Sequence, residues 1–203
     1  MQVEPSHYFS SSYDIKGRFV SYWHQINEVI SSDPSEVLEI GIGNGFVSKY
    51  LRERGYKLTT FDCDAKLNPD VVGNILSLPF AATSFDFVIC CEILEHLPYS
   101  FFTKALKEVK RITKSRAILS LPDVTTVYRF FIELPRFKPI KKMIPHPFPR
   151  PPFHHQGGQH HWEIGKKKYP LKRIKFDIRQ VGFMINRSYR IFEFPYHRFF
   201  LIS

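Results

Sequence analysis

The sequence predicts an α/β fold in which a mostly parallel sheet carries helices on both faces. Short apolar runs typical of strands alternate with segments whose apolar residues recur every three or four positions, as on one face of a helix. The run at 85–91 is apolar at nearly every position, which is typical of a parallel strand buried between helices. With 203 residues, 43% of them hydrophobic, the chain is long enough to bury its own core. We therefore expect a single domain over residues 1–203.

The elements are expected in the following order. Residues 1–34 form a helical lead-in whose apolar face consists of Phe19, Trp23, Ile26 and Ile30. Strands are expected at 37–40, 58–61, 71–72, 85–91 and 117–121, and helices at 46–54 and 102–112. A last helix begins after Pro170 and ends at Gly182, because proline suits a first helical turn and glycine a C-terminal cap. Residues 187–195 and 197–202 then form a closing antiparallel hairpin.

Charge is distributed unevenly along the chain. Residues 1–103 carry 7 basic and 13 acidic side chains, whereas residues 104–203 carry 22 and 6. A basic second half indicates contact with an anionic surface or nucleic acid, or else a solvated basic face. Residues 124–161 stand out within it, with seven prolines, five histidines and six basic side chains. A connection of this length, rich in aromatic residues, is expected to be an insertion that covers another part of the molecule.

Composition also excludes several classes of protein. The sequence contains no apolar stretch long enough to span a membrane, and its three cysteines lack the CxxC spacing of a metal site. The first residues have neither a basic n-region nor an apolar h-region, so we expect no secretory leader. We expect a cytoplasmic protein with no metal ion. The sequence does not predict the oligomeric state.

A glycine-rich turn follows the first strand. It reads Glu39-Ile-Gly41-Ile-Gly43-Asn-Gly45, and glycines there let a ligand approach the backbone closely. The dinucleotide fingerprint would place its third glycine at position 46, where Phe46 stands, so the spacing argues against NAD. Asp62 ends the second strand, where a carboxylate accepts hydrogen bonds from ribose hydroxyls. A ligand that contains a nucleoside is therefore expected. The alternatives are that Glu39 is a buried structural carboxylate and Asp62 a helix cap.

Five motifs in order resemble the class I S-adenosylmethionine-dependent methyltransferases, and more narrowly the branch of ubiquinone-biosynthesis and small-molecule enzymes. They are ExGxGxG at 39–45, Asp62, Gly73-Asn74-Ile75 with Leu78-Pro79-Phe80, Ser84-Phe85-Asp86, and Glu92-Ile-Leu-Glu-His96-Leu. The resemblance covers about residues 35–123 and resumes at 161–163. It implies a Rossmann-like, mostly parallel seven-stranded sheet with a C-terminal antiparallel hairpin. It also implies S-adenosylmethionine as methyl donor and S-adenosylhomocysteine as product.

The resemblance further implies roles for single residues. Gly41, Gly43 and Gly45 would wrap the methionine part of the donor, Glu39 would lie near its ammonium group, and Asp62 would hold the ribose. Asn74 stands where the family often has an acid beside the adenine, so that contact would be neutral here. Ile75 would offer a backbone amide to the adenine, and Glu92 would lie by the methyl group mainly through its backbone.

Histidines at 154, 155, 160 and 161 form an HH-x4-HH pattern that is consistent with a metal site, a general base or a polar lid. The flexible loop between the two pairs argues against a metal site. A histidine of near-neutral pKa suits proton removal from an acceptor, so His161 is the first candidate for a catalytic base and His160 the second. His96, at a helix start in a hydrophobic run, is interpreted as structural rather than catalytic.

Nothing in the sequence selects a nucleic-acid base as acceptor. Because the resemblance is to a small-molecule branch, the sequence favours a small-molecule or lipid-like acceptor. The insertion at residues 124–161 is then expected to cover the acceptor site. The alternative is a chain that binds S-adenosylmethionine without catalysis, or a basic nucleic-acid-binding protein on the same fold.

Overall fold

The computed structural model describes residues 4–148, 152–153 and 158–203. Its helices are α1 (Lys16–Ser32), α2 (Phe46–Glu53), α3 (Phe102–Ile112) and α4 (Leu171–Gln180). Its strands are β1 (Glu36–Ile40), β2 (Lys57–Asp62), β3 (Val71–Val72), β4 (Phe85–Cys91), β5 (Thr113–Pro122), β6 (Val127–Ile132), β7 (Ile140–Pro145), β8 (Ile185–Arg190) and β9 (His197–Ile202). No helix among these residues is long and apolar enough to cross a membrane.

Seven strands form one sheet in the order β3-β2-β1-β4-β5-β9-β8. The five strands from β3 to β5 are parallel, whereas β9 lies antiparallel to both β5 and β8. This confirms the predicted α/β fold with its seven-stranded, mostly parallel sheet and C-terminal antiparallel hairpin. After β3 the chain returns to the other side of β1, so a crevice opens beyond the carboxyl ends of β1 and β4.

Successive side chains of the central strands point alternately to the two faces of the sheet, so a hydrophobic core forms on each face. In β4, Val88 and Cys90 belong to the hydrophobic cluster that contains α3 and α4 residues, while Phe87 and Ile89 belong to the cluster that contains α1 and α2 residues. Because successive side chains of a strand point to opposite faces, an apolar run buried on both sides is what this architecture requires.

The predicted apolar face of the lead-in helix is right at Ile26, which is buried, and at Ile30, which packs against the core, but wrong at Phe19 and Trp23. Trp23 is 58% exposed and Phe19 is 42% exposed, whereas Tyr22, Ile26 and Val29 are buried. The helix is turned this way because its polar side also has buried partners. Ser21, for example, forms a 2.6 Å hydrogen bond with Nδ1 of His197 on β9.

The residues that follow β5 leave the sheet, and the end of this segment returns to pair with its beginning. The Val124 amide donates to the Ile164 carbonyl at 2.9 Å, and the Ile164 amide donates to the Pro122 carbonyl at 2.9 Å. Trp162 anchors the segment beside this backbone pairing, since it is fully buried and its indole N–H donates to the Leu97 carbonyl at 3.1 Å. Between the two ends, β6 and β7 pair as an antiparallel hairpin that the sequence analysis did not predict.

Candidate functional site

A cavity of about 610 Å3 lies in the crevice at the carboxyl ends of β1, β2 and β4. Most of the residues named from the sequence line it: Glu39, Gly41, Gly43, Asp62, Asn74, Ile75, Glu92 and His160. Gly45 and His161 are not among the lining residues. The topology therefore brings together groups that lie up to 121 positions apart in the chain, and it does so at the ligand-binding edge of an open α/β sheet.

The glycine turn has a backbone that side chains would disturb. Gly41, Gly43 and Gly45 have φ values of 81°, 53° and 71°, in the left-handed region that favours glycine. A Cβ atom on Gly41 would lie 2.0 Å from Cδ1 of Ile93, so the backbone there is also closely approached. Gly45 has another role, since it is the N-cap residue of α2.

Asp62 ties this turn to the end of β2. Its Oδ2 accepts a hydrogen bond from the Ile42 amide at 3.0 Å, and its Oδ1 accepts one from the Asp64 amide at 2.9 Å. Each carboxylate oxygen can accept a second hydrogen bond. Asp62 is therefore an oriented acceptor that still has capacity for hydroxyl donors from a ligand.

Glu39 is a buried carboxyl group on the wall of the cavity. It is 4% exposed, and its Oε2 accepts no hydrogen bond from a described residue. Burial raises the pKa of the Glu39 carboxyl to about 8, against the smaller opposing effect of the hydrogen bond from Ser48. A cationic ligand group in the cavity would supply the partner that Oε2 lacks.

Glu92 directly follows β4, in a left-handed conformation with a φ of 55°. Its Oε1 accepts a hydrogen bond from the Ser120 hydroxyl at 2.8 Å, and its Oε2 lies 3.4 Å from Nε2 of His197. Burial raises the pKa of Glu92 to about 7. Asn74 uses its side-chain oxygen locally, as acceptor from the Leu76 amide at 2.9 Å.

The two histidine candidates lie in different surroundings. His160 lines the cavity, and its Nδ1 is 3.0 Å from Oε1 of Glu163. His161 is exposed, and its backbone amide donates to the Glu95 carbonyl at 2.8 Å. His154 and His155 lie outside the described residues. His96, interpreted from the sequence as structural, also lines the cavity.

Sequence reasoning missed a wall of the cavity that the N-terminal segment supplies. The lining residues from this part of the chain are His7, Tyr8, Ser12, Tyr13, Arg18, Ser21, Tyr22 and Gln25. The rings of Tyr8 and Tyr13 meet edge to face at 5.2 Å, and the Arg18 guanidinium lies 3.9 Å from the centre of the Tyr13 ring. The aromatic residues of the N-terminal lead-in could have indicated this wall of the cavity. The sequence analysis used only their helical periodicity and therefore assigned the segment to core packing.

The described part of the insertion contributes Gln159 and His160 to the cavity wall. The β6–β7 hairpin lies to one side, where Arg129 donates to the Phe192 carbonyl at 3.0 Å and Lys141 forms an ion pair with Glu193 at 2.5 Å. It borders a second, shallower groove that Lys16 and Gly17 share, next to the cavity residue Arg18.

The cavity has the opposite charge character to the chain as a whole. Four carboxyl side chains line it, namely Glu39, Asp62, Asp64 and Glu92, against the guanidinium of Arg18 as the one Lys or Arg side chain among the described lining residues. The whole chain has a formal net charge of +10. An acidic cavity in a basic protein favours a cationic ligand.

Comparisons with known proteins agree with this architecture. The model of a family described as "Methyltransferase domain" matches residues 38–121. An uncharacterized protein of Methanocaldococcus jannaschii, MJ0638, is 32% identical over 91 residues, a match that spans 41% of this chain and 39% of that protein.

Solved structures show the same fold over nearly the whole chain. The PH0226 protein from Pyrococcus horikoshii has a TM-score of 0.63 and 14% identity, with 99% of this chain and 96% of that chain covered. An S-adenosylmethionine-dependent methyltransferase from Clostridium acetobutylicum has a TM-score of 0.62 and 11% identity, with 95% and 93% covered. The magnesium protoporphyrin IX methyltransferase of Synechocystis, solved with S-adenosylhomocysteine, has a TM-score of 0.60 and 16% identity, with 92% and 83% covered.

The order of the strands and the glycine turn between β1 and α2 are those of the class I methyltransferase fold. The family match covers residues 38–121, less than half of the chain, so over that region the chain is similar to S-adenosylmethionine-dependent methyltransferases and shares their fold.

Two glycine substitutions test the architecture of the turn. Gly43→Ala should lower the free energy of unfolding by about 1–2 kcal/mol, the cost of a left-handed residue with a Cβ atom. Gly41→Ala should lower it further, because its Cβ would also clash with Ile93. Urea denaturation followed by circular dichroism measures both values, and an equal loss in the two variants would contradict the close approach of Ile93.

Proposed function

We propose that the chain transfers a methyl group from S-adenosylmethionine, bound in the acidic cavity, to a small, lipid-like acceptor. The observation that carries the proposal is the placement of four carboxyl groups around a glycine turn at the carboxyl ends of β1, β2 and β4. The Oε2 of Glu39, which has no hydrogen-bond partner among the described residues, fits a ligand that carries an ammonium group.

Each cavity residue then has a binding role. Gly41 and Gly43 leave room for the methionine portion along the backbone, and Gly45 starts the helix behind it. Glu39 lies at the end of β1, where an ammonium group would pair with it. Asp62 accepts hydrogen bonds from the ribose hydroxyls while the Ile42 and Asp64 amides hold it in place.

Asn74, Ile75 and Glu92 complete this ligand set. Asn74 and Ile75 would flank the adenine, with the Ile75 backbone amide as donor. Glu92 would lie beside the methyl group, held by Ser120.

When bound, S-adenosylmethionine supplies an electrophilic methyl group: a bond forms between the acceptor atom and the methyl carbon, the carbon–sulfur bond breaks, and sulfur keeps the electron pair. The contribution of the protein is orientation, since rigid positioning of two reactants replaces most of the entropy cost of their encounter. The tyrosines of the N-terminal segment would close the cavity over the reacting atoms.

The character of the β6–β7 hairpin supports a lipid-like acceptor. Eight of its large apolar residues are at least 49% exposed: Tyr128, Phe130, Phe131, Ile132, Leu134, Phe137, Ile140 and Ile144. Five basic side chains, at 129, 136, 138, 141 and 142, are interleaved with them against the single acid Glu133. Aromatic and basic residues in this combination favour the interface of an anionic membrane.

Calorimetric titration tests the cofactor proposal. We expect S-adenosylmethionine and S-adenosylhomocysteine to bind and NAD not to bind. Asp62→Ala should weaken S-adenosylhomocysteine binding by about 2–3 kcal/mol through loss of two hydrogen bonds to a charged acceptor. Asp70→Ala is the matched control, because Asp70 caps Thr60 on the same strand but does not line the cavity. Unchanged affinity in Asp62→Ala, or equal loss in both variants, would contradict the proposed ribose contact.

The buried Glu39 makes binding dependent on pH. Pairing with an ammonium group favours the ionised carboxylate, whereas the empty site favours the protonated form up to a pKa of about 8. Affinity for S-adenosylhomocysteine should therefore rise between pH 6 and 7.5 by up to about tenfold per pH unit, a window that lies below the usual pKa of amino groups. Glu39→Gln should bind more weakly with a flat profile. A profile that is equally steep in Glu39→Gln would assign the proton to another group.

Sedimentation with lipid vesicles tests the acceptor class. The chain should bind vesicles that contain phosphatidylglycerol and not vesicles of phosphatidylcholine alone. Simultaneous Phe130→Ser and Phe131→Ser substitutions should abolish binding, while Phe176→Ser, which alters an exposed phenylalanine on α4, should not. Binding to single-stranded DNA without binding to anionic vesicles would overturn the lipid proposal in favour of nucleic acid.

A further inference from the structure

Three side chains with metal-ligand chemistry converge on the wall of the cavity. One ligand atom from each of Glu95, His96 and His160 lies within 4.8 Å of the other two. Glu95 and His96 belong to the short helical turn after β4, and His160 comes from the end of the insertion. His96 and His160 line the cavity, so the cluster lies between the core and the space proposed for the acceptor.

Glu95 is the observation that points to a ligand. Its side chain is completely buried, and neither of its carboxyl oxygens has a hydrogen-bond partner among the described residues. Buried polar groups in folded proteins are normally hydrogen-bonded, paired or bound to a metal. A cation between Glu95 and the two imidazoles would satisfy this carboxyl group.

The hydrogen bonds of His96 leave its outer nitrogen suited to coordination. Nδ1 of His96 is 3.1 Å from the Gln159 carbonyl oxygen. Because a carbonyl oxygen only accepts, the proton resides on Nδ1 and the lone pair on Nε2. Metal-bound histidines typically donate their second ring nitrogen to a backbone carbonyl in this way.

His160 is oriented by a carboxylate. Nδ1 of His160 lies 3.0 Å from Oε1 of Glu163, which also accepts a hydrogen bond from the Tyr196 hydroxyl at 2.6 Å. The lone pair of His160 is then on Nε2, which lies 4.0 Å from Oε1 of Glu95. An ion with bonds of about 2.0–2.2 Å to both atoms fits between them at a wide ligand–metal–ligand angle, and a small side-chain shift brings the pair to a tetrahedral angle.

We propose that Glu95, His96 and His160 bind a divalent first-row transition cation such as Zn2+ or Mn2+. Two imidazoles and one carboxylate suit these ions better than Ca2+ or Mg2+, which prefer oxygen ligands. Three protein ligands leave coordination positions open, as in catalytic rather than structural sites.

The role of the cation in the reaction rests on the proposed function, whereas the site itself does not. An oxygen of the acceptor would occupy an open position facing the cavity. Coordination lowers the pKa of a bound hydroxyl group, so its proton passes to water and the oxygen forms the bond to the methyl carbon. His160 would in that case be a ligand rather than the base.

Metal binding to the full chain tests the site directly. After treatment with a chelator, the protein is titrated with Zn2+ by calorimetry and with Co2+ by visible absorption, which reports coordination by protein ligands. We expect one ion per chain. His160→Ala and Glu95→Gln should each weaken binding by at least about 100-fold, more than the loss usual for a residue that only orients a ligand. His161→Ala is the matched control, because it removes the exposed neighbouring imidazole, and its affinity should stay within about twofold of the parent value.

Titration with S-adenosylhomocysteine separates this proposal from the proposed function. Nucleotide binding without Zn2+ or Co2+ binding overturns the metal site and leaves the cofactor pocket. Metal binding without nucleotide binding does the reverse. Equal losses in His160→Ala and His161→Ala, or an unchanged affinity in His160→Ala, place the ion elsewhere and also overturn the site. Circular dichroism establishes that each variant is folded, and His160→Ala, which removes a partly exposed side chain, remains decisive if Glu95→Gln is unstable.

Discussion

The parallel pairing of β1 with both β2 and β4 is the constraint on which the rest of the molecule depends. Val37 pairs with Leu58 on one side and with Phe87 on the other, so β1 is central and its carboxyl end is flanked by two diverging connections. Glu39 lies on β1, the glycine turn follows it, Asp62 ends β2, and Glu92 follows β4. Because all three strands run in the same direction, these groups reach the same edge of the sheet.

Much of this arrangement could be predicted from the sequence because it is local. The left-handed turn requires glycine, and Gly41, Gly43 and Gly45 stand where a strand ends and a helix begins. The buried strands are recognisable in the sequence as short, continuous apolar runs. Asp62 is recognisable by its place at the end of a strand, and its hydrogen bond to the Ile42 amide follows from the parallel register.

The rest of the site depends on contacts that a linear pattern does not encode. The orientation of α1 is set by partners on β9, such as His197, and not by its own apolar spacing, so Trp23 was assigned to the wrong face. No sequence pattern marks Glu95 as a ligand, and only the fold brings it close to His160, which lies 65 positions later. The choice between His160 and His161 likewise depends on which of two neighbours faces inward.

The backbone pairing of residues 124 and 164, where the insertion begins and ends, allows the inserted hairpin and the seven-stranded sheet to vary independently. Residues 124 and 164 are joined by a backbone hydrogen bond, and β5 pairs directly with β9, so the seven-stranded sheet contains neither β6 nor β7. A change in the length or sequence of the hairpin would therefore leave the pairing of the seven strands intact. The surface that the hairpin presents is in this sense independent of the glycine turn. The end of the insertion is different, because Trp162 donates a hydrogen bond to the Leu97 carbonyl and His160 lines the cavity. A change at these two residues would therefore reach the site itself.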